Sequence, residues 1–135
     1  MRDKKITYFE DLGIDECICP HEDAIIPDGS KEFYRIVKCN PASSECLMSH
    51  RSKFPTREYP DECCARAVST FDSAEGLLNA FFKTPAGKKK EKLLGKIVLN
   101  DGDGMIKQTF SEGHYSWWRS HSFDISSVTI QKIEV

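Results

Sequence analysis

Apolar residues recur along this chain with two different periods. From Ala74 onward they fall at Leu77, Leu78, Phe81 and Phe82, the three-and-four spacing that turns one face of a helix toward a core. Asp72 is placed to cap the first turn and Glu75 to reach back to it. Lys83 then sits at the negative end of the helix dipole, and Pro85-Ala86-Gly87 stops the element. The pattern predicts one amphipathic helix over about 73–83. A shorter helix is predicted from Thr7 to Leu12, with Thr7 and Glu10 at capping-box spacing and Gly13 as the stop.

Elsewhere the chain carries short runs of aromatic and β-branched residues. These are Phe33–Lys38, Ala67–Phe71, Leu94–Leu99, Met105–Phe110, His114–Trp118 and Val128–Val135, each predicted to be a strand. Turn formers at Asn100-Asp101-Gly102-Asp103-Gly104 predict a hairpin between the third and fourth runs. In the last run the apolar positions slip from Val128 and Ile130 to Ile133 and Val135, which predicts a bulge or a frayed end. Pro41 to Pro60 reads as a long loop with at most one helical turn. The elements add up to an α+β fold: a mostly antiparallel sheet of five or six strands with the 73–83 helix packed on it.

A length of 135 residues, 39% of them hydrophobic, suits a single domain, with the first 30 or so residues attached loosely. No run of about 18 apolar residues occurs, and Met1-Arg2-Asp3-Lys4-Lys5 does not lead into a signal-peptide core, so a cytoplasmic protein is expected. In that compartment the six cysteines are expected to be reduced and mostly buried. The net charge of −2 is unevenly spread. Residues 1–32 hold nine acids and four bases (−5), whereas residues 83–96 hold six lysines and one glutamate (+5).

Several motifs fail on their chemistry. Asp101-x-Asp103 with Glu112 imitates a calcium loop, but Met105 and Ile106 stand where an oxygen ligand and a glycine are needed. Gly87-Lys88-Lys89-Lys90 lacks the upstream glycine and the hydroxyl of a phosphate loop. Cys17, Cys19 and His21 are the nearest metal candidates, yet their Cys-x-Cys-x-His spacing has no second ligand pair, and no metal is expected. A thiol nucleophile at Cys63 or Cys64 has no histidine assigned to it by spacing.

The chemistry concentrates in Gly113–His121, which holds both tryptophans, two of the four histidines and Arg119. Alternation sends His114, Ser116 and Trp118 to one face and Tyr115, Trp117 and Arg119 to the other. Aromatic and guanidinium groups suit stacking on a ligand or gripping a partner, so His114, Tyr115, Trp117, Trp118, Arg119 and His121 are the candidate binding residues. Arg35 lies between apolar neighbours on its strand, and Ser69 and Thr70 precede a capped helix, where an anion is favoured.

The blocks Phe33-Tyr34-Arg35-Ile36-Val37, Ala67-Val68-Ser69-Thr70-Phe71-Asp72 and Gly113-His114-Tyr115-Ser116-Trp117-Trp118 resemble those of a family of small bacterial proteins. Their order is also similar to ADP-ribosyltransferase-like folds. That resemblance implies NAD as cofactor, with Arg35 on its phosphates, Ser69 and Thr70 on the nicotinamide side and Glu112 steadying the oxocarbenium. Here Glu112 stands without a Glu-x-Glu or Gln-x-Glu signature.

The favoured expectation is a non-enzymatic binding or accessory protein without a cofactor, part of a toxin-immunity or phage-defence system. It would engage an unidentified protein or small ligand through Trp117-Trp118-Arg119. The alternatives are an NAD-using transferase or hydrolase anchored by Arg35, and single-stranded nucleic-acid binding through the 83–96 basic segment.

Overall fold

The computed structural model describes residues 7–10, 12, 19–37, 42–81, 93–110 and 112–132. Six strands form one antiparallel sheet: β1 (Glu32–Val37), β2 (Val68–Phe71), β3 (Leu93–Val98), β4 (Gly104–Gln108), β5 (His114–Arg119) and β6 (Thr129–Lys132). Their spatial order is β4-β5-β2-β1-β3-β6. The helices are short: α1 (His50–Lys53), α2 (Glu62–Ala65) and α3 (Ala74–Phe81), with 3₁₀ turns at Ser44–Leu47 and Ile125–Ser127.

Register assigns each side chain to a face. Phe33 lies opposite Ile97, Val68 opposite Trp117 and Ile106 opposite Trp117, so these share a core with Tyr115 and Leu99. Cys46, Leu47, Phe123 and Val128 cover that core from the connecting segments. On the opposite face Met105 lies opposite Trp118, and a second cluster of Ala24, Cys63, Cys64 and Ala67 closes over them. Both faces are therefore dry at β5, whose six residues are all buried.

Five expectations are corrected. No hairpin joins 94–99 to 105–110, because β3 pairs with β1 and β6 while β4 pairs with β5. The turn formers do make a turn, with Asp103 N–H donating to Asn100 O at 3.0 Å. Six peptide steps from Val98 to Gly104 reach at most about 21 Å, scarcely the four flat strand spacings of about 4.8 Å that separate β3 from β4. Because the path contains a turn, the sheet has to curl. Segment 25–29 spans the same interval, since Ile25 exchanges hydrogen bonds with Ile106 and Gly29 N–H donates to Leu99 O.

The helix expected from Thr7 to Leu12 is instead extended chain at Tyr8, which bridges Ser120; Phe9 N–H donates to Arg119 O and His121 N–H to Thr7 O. The α3 cap is Ser73 rather than Asp72, its Oγ accepting from Gly76 N–H at 3.0 Å, and the Asp72 amide pairs with Gly113 O. Leu77 is buried and Ala74 and Leu78 are half-buried against β1 and β2, while Phe82 to Gly87 lie outside the described residues. The 41–60 stretch carries two short helical turns, the second capped by Ser49. The slip expected at Ile133 also falls outside the described residues.

The cysteines depart from the reduced state expected of them. Cys19 and Cys63 are joined by a disulfide, with Cα atoms 5.4 Å apart, while Cys46 and Cys64 are buried thiols. Cys17 and Cys39 lie outside the described residues.

Candidate functional site

Alternation along β5 is as the sequence suggests, but the binding surface expected there is not a surface. Trp117 and Trp118 have no exposed area and Arg119 almost none. Each indole N–H is satisfied internally, Trp117 Nε1 donating to Asp103 O and Trp118 Nε1 to Cys63 O, both at 2.9 Å. Tyr115 is buried with its hydroxyl accepting from Lys31 Nζ at 3.0 Å. His121 alone of this set is exposed, its ring stacked near Phe9.

Arg35 and Arg119 serve one purpose on the Trp117 face. Arg35 donates from Nε to Cys46 O at 2.9 Å, from Nη1 to Ser69 O at 2.8 Å and from Nη2 to Met48 O at 3.2 Å. Arg119 Nη1 donates to Leu47 O and Ser44 O, its guanidinium lies 3.7 Å from the Phe9 ring centre, and its buried Nε has no hydrogen-bond partner among the described residues. Two cations thus grip the carbonyls of the Ser44–Leu47 turn from neighbouring parts of the sheet. Burial opposes both charges, pulling Arg35 down to about 10 and lowering Arg119, and Glu10 is the carboxylate whose field sustains them. Glu10 itself accepts from Ser49 N–H, Ser49 Oγ and Ser52 Oγ.

The residues proposed for NAD chemistry are only partly gathered. Arg35 reaches the Ser69 carbonyl, Thr70 is buried with its hydroxyl donating to Tyr115 O, and Ser69 is half-buried. Glu112 is exposed in the turn before β5, beyond the Phe71–His114 pair, and shares no hydrogen bond with the other three among the described residues. Most of the 83–96 basic segment lies outside the described residues; Lys96 is on β3, 3.3 Å from Glu32.

A different constellation stands on the Trp118 face. Asp61 caps α2, its Oδ1 accepting from Cys64 N–H at 3.0 Å, which leaves Oδ2 facing His21 Nε2 at 2.9 Å. Cys64 Sγ lies 3.7 Å from the same His21 nitrogen. Lys107 Nζ donates to His21 Nδ1 and to Asp23 Oδ1, each at 2.9 Å, so His21 Nε2 carries the ring proton. The seam continues along β5, where Ser116 Oγ meets Thr109 Oγ1 at 2.8 Å and Thr109 meets His114 Nδ1 at 3.2 Å. The Trp118 ring packs beside His21, and the Cys19–Cys63 bond ties the two segments that supply the cluster.

The electrostatics of the seam follow from burial. Burial first, and the Asp61 charge second, raise the Cys64 thiol to about 11, so it is not a poised nucleophile. Burial also works against Asp61, but the Cys64 amide and His21 outweigh it and hold the carboxyl below its ordinary value. His114 is lowered, chiefly by burial. Sequence reasoning named Cys19 and His21 as metal candidates and Cys64 only as a thiol nucleophile it set aside; it did not bring together Asp61, Cys64 and Lys107. The signal that could have found two of them is Asp61-x-x-Cys64, a cap and its third helical position, which one turn of helix necessarily brings together.

No protein-family model, curated protein or solved structure matches the chain. No helix among the described residues is long and apolar enough to cross a membrane.

Proposed function

We propose that this protein is a small α+β binding module rather than an enzyme. It takes its ligand on the seam between α2 and the β4–β5 pair. One observation carries the reading: side chains from three separate segments, His21 and Asp23, Asp61 and Cys64, and Lys107, meet at a partly open place. There the His21 and Asp61 side chains are 22% and 40% exposed. Groups converging from distant parts of a chain at a solvent-accessible point are what ligand recognition requires.

Trp118 backs that seam while Trp117 and Arg119 pack on the opposite face, and none of the three contributes contact surface of its own. Arg35 spends its donors on backbone carbonyls, which speaks against a cofactor anchor. The test is an ¹⁵N-labelled protein titrated separately with NAD, a short single-stranded oligonucleotide and Zn²⁺. Shifts confined to residues 21–24, 61–65, 107 and 116 are expected from one of these. NAD shifts around Arg35, with NAD consumed by wild type and not by Arg35→Lys, would replace this reading with the enzymatic one.

A further inference from the structure

The seam offers three ligand types to one point. His21 Nε2, one Asp61 carboxylate oxygen and Cys64 Sγ all lie within 4.8 Å of one another. A tetrahedral zinc ion with the usual bond lengths requires nitrogen–sulfur and nitrogen–oxygen separations of roughly 3.4–3.6 Å. The 3.7 Å nitrogen–sulfur separation already fits, the 2.9 Å nitrogen–oxygen contact has to open by about 0.5 Å, and the sulfur and oxygen, within 4.8 Å of each other, have to settle near about 3.5 Å, adjustments that side-chain rotations can supply to complete three corners. From this geometry we infer that His21, Asp61 and Cys64 hold a divalent cation of the zinc class, with the fourth position open to water or to a group from a partner. The inference deepens the seam-binding reading and rests on it.

The surroundings are those of a cation site. A thiol and a carboxylate face one imidazole, and a cation placed between them takes the sulfur as thiolate with release of its proton. Asp61 is aimed by the Cys64 amide on its other oxygen, a fixed second contact of the kind that orients metal-binding carboxylates. Sulfur, nitrogen and oxygen donors together favour zinc over magnesium or calcium, which take oxygen alone. Three protein ligands with one open corner is the arrangement of reactive or exchangeable zinc rather than of a closed structural site. The Cys19–Cys63 bond joins a residue two before His21 to the residue beside Cys64, and so holds the two halves of the site together.

Lys107 is the counterweight. Binding at Nε2 moves the imidazole proton to Nδ1, where the Lys107 ammonium now donates, so the lysine has to swing onto Asp23. A positive charge a few ångströms from the ion costs affinity.

The experiment uses the disulfide-intact protein, without reductant and under argon, titrated with Co²⁺ as a spectroscopic probe and then displaced by Zn²⁺. One equivalent should produce tetrahedral d–d bands and a thiolate-to-cobalt charge-transfer band. Cys64→Ser should abolish the charge-transfer band, while His21→Gln and Asp61→Asn should each weaken binding by about 100-fold or more. Lys107→Met should tighten it by about tenfold. His21→Gln leaves the buried thiol untouched, so the inference stays testable if Cys64→Ser fails to fold. Absence of the band, or a band that survives both Cys64→Ser and His21→Gln, overturns it. Should Co²⁺ and Zn²⁺ fail while another titrant still shifts the seam, the metal assignment falls and the binding reading survives. Shifts at Arg35 alone would remove both.

Discussion

Arg35→Met separates a structural arginine from a cofactor anchor. The guanidinium donates to three backbone carbonyls, those of Cys46, Met48 and Ser69, and the residue is only 8% exposed. Hydrogen bonds from a charged donor are worth about 1.5–3 kcal/mol each, or about 5–9 kcal/mol for three. Against this stands the cost of burying the cation. The fall in its pKa from 12.5 to about 10 puts that cost at about 3 kcal/mol. The difference leaves a loss of about 2–6 kcal/mol. For a chain of this length a loss of about 4 kcal/mol lowers the melting temperature by about 10–15 °C. Arg35→Lys keeps the charge but not the fork, and should recover only part of it.

Urea unfolding followed by the fluorescence of the two buried tryptophans measures the loss. Hydrogen exchange at residues 44–48 should quicken in the mutant before the rest of the sheet responds, because two of the three freed carbonyls, those of Cys46 and Met48, belong to that segment. A loss below about 1 kcal/mol, with exchange at 44–48 unchanged, would refute the reasoning and return Arg35 to the list of groups available to a ligand.

Three other outcomes are expected. Gly104→Ala should leave little folded protein, because a Cβ there would lie 2.1 Å from Trp118 O and the residue has φ +127°; a melting temperature within a few degrees of wild type would contradict this. Reducing the Cys19–Cys63 bond opens a loop spanning 44 residues, which chain entropy values at about 4 kcal/mol. Melting with and without a phosphine reductant checks it, and coincident curves would refute it. His114 is held below its ordinary value of 6.5, mainly by burial, so the unfolded chain binds the proton more readily. Its contribution is complete above pH 6.5 and is lost as pH falls below that value. Stability should therefore decline less steeply between pH 6.5 and 5 in His114→Gln, and parallel curves would argue against it.

Most strands were legible because alternation of apolar and polar positions directly encodes a half-buried strand. Their neighbours were not. Asn100–Gly104 has the composition of a hairpin loop, and only long-range pairing of β3 with β1 and of β4 with β5 decides otherwise. At β5 the faces could be assigned but their burial could not. His114, Ser116 and Arg119 look like surface residues until the distant carbonyls and hydroxyls that satisfy them are in place. The cluster on the Trp118 face joins residues 21, 61, 64 and 107; cap spacing links Asp61 to Cys64, but His21 and Lys107 lie too far along the chain for any spacing rule to bring in.

The pairing of Ile25 with Ile106 has a further bearing on how copies of this chain meet. It covers the outer side of β4 at that point, so the unpaired hydrogen-bonding groups of the sheet lie chiefly along β6 among the described residues. That margin is four residues long and carries Thr129, Gln131 and Lys132, a short polar stretch with a lysine, which discourages a second sheet from adding to it. Prising residues 24–27 away from β4 would bare a strand that begins Gly104-Met105-Ile106. Resistance to aggregation in this protein therefore depends on how firmly that short covering segment stays in place.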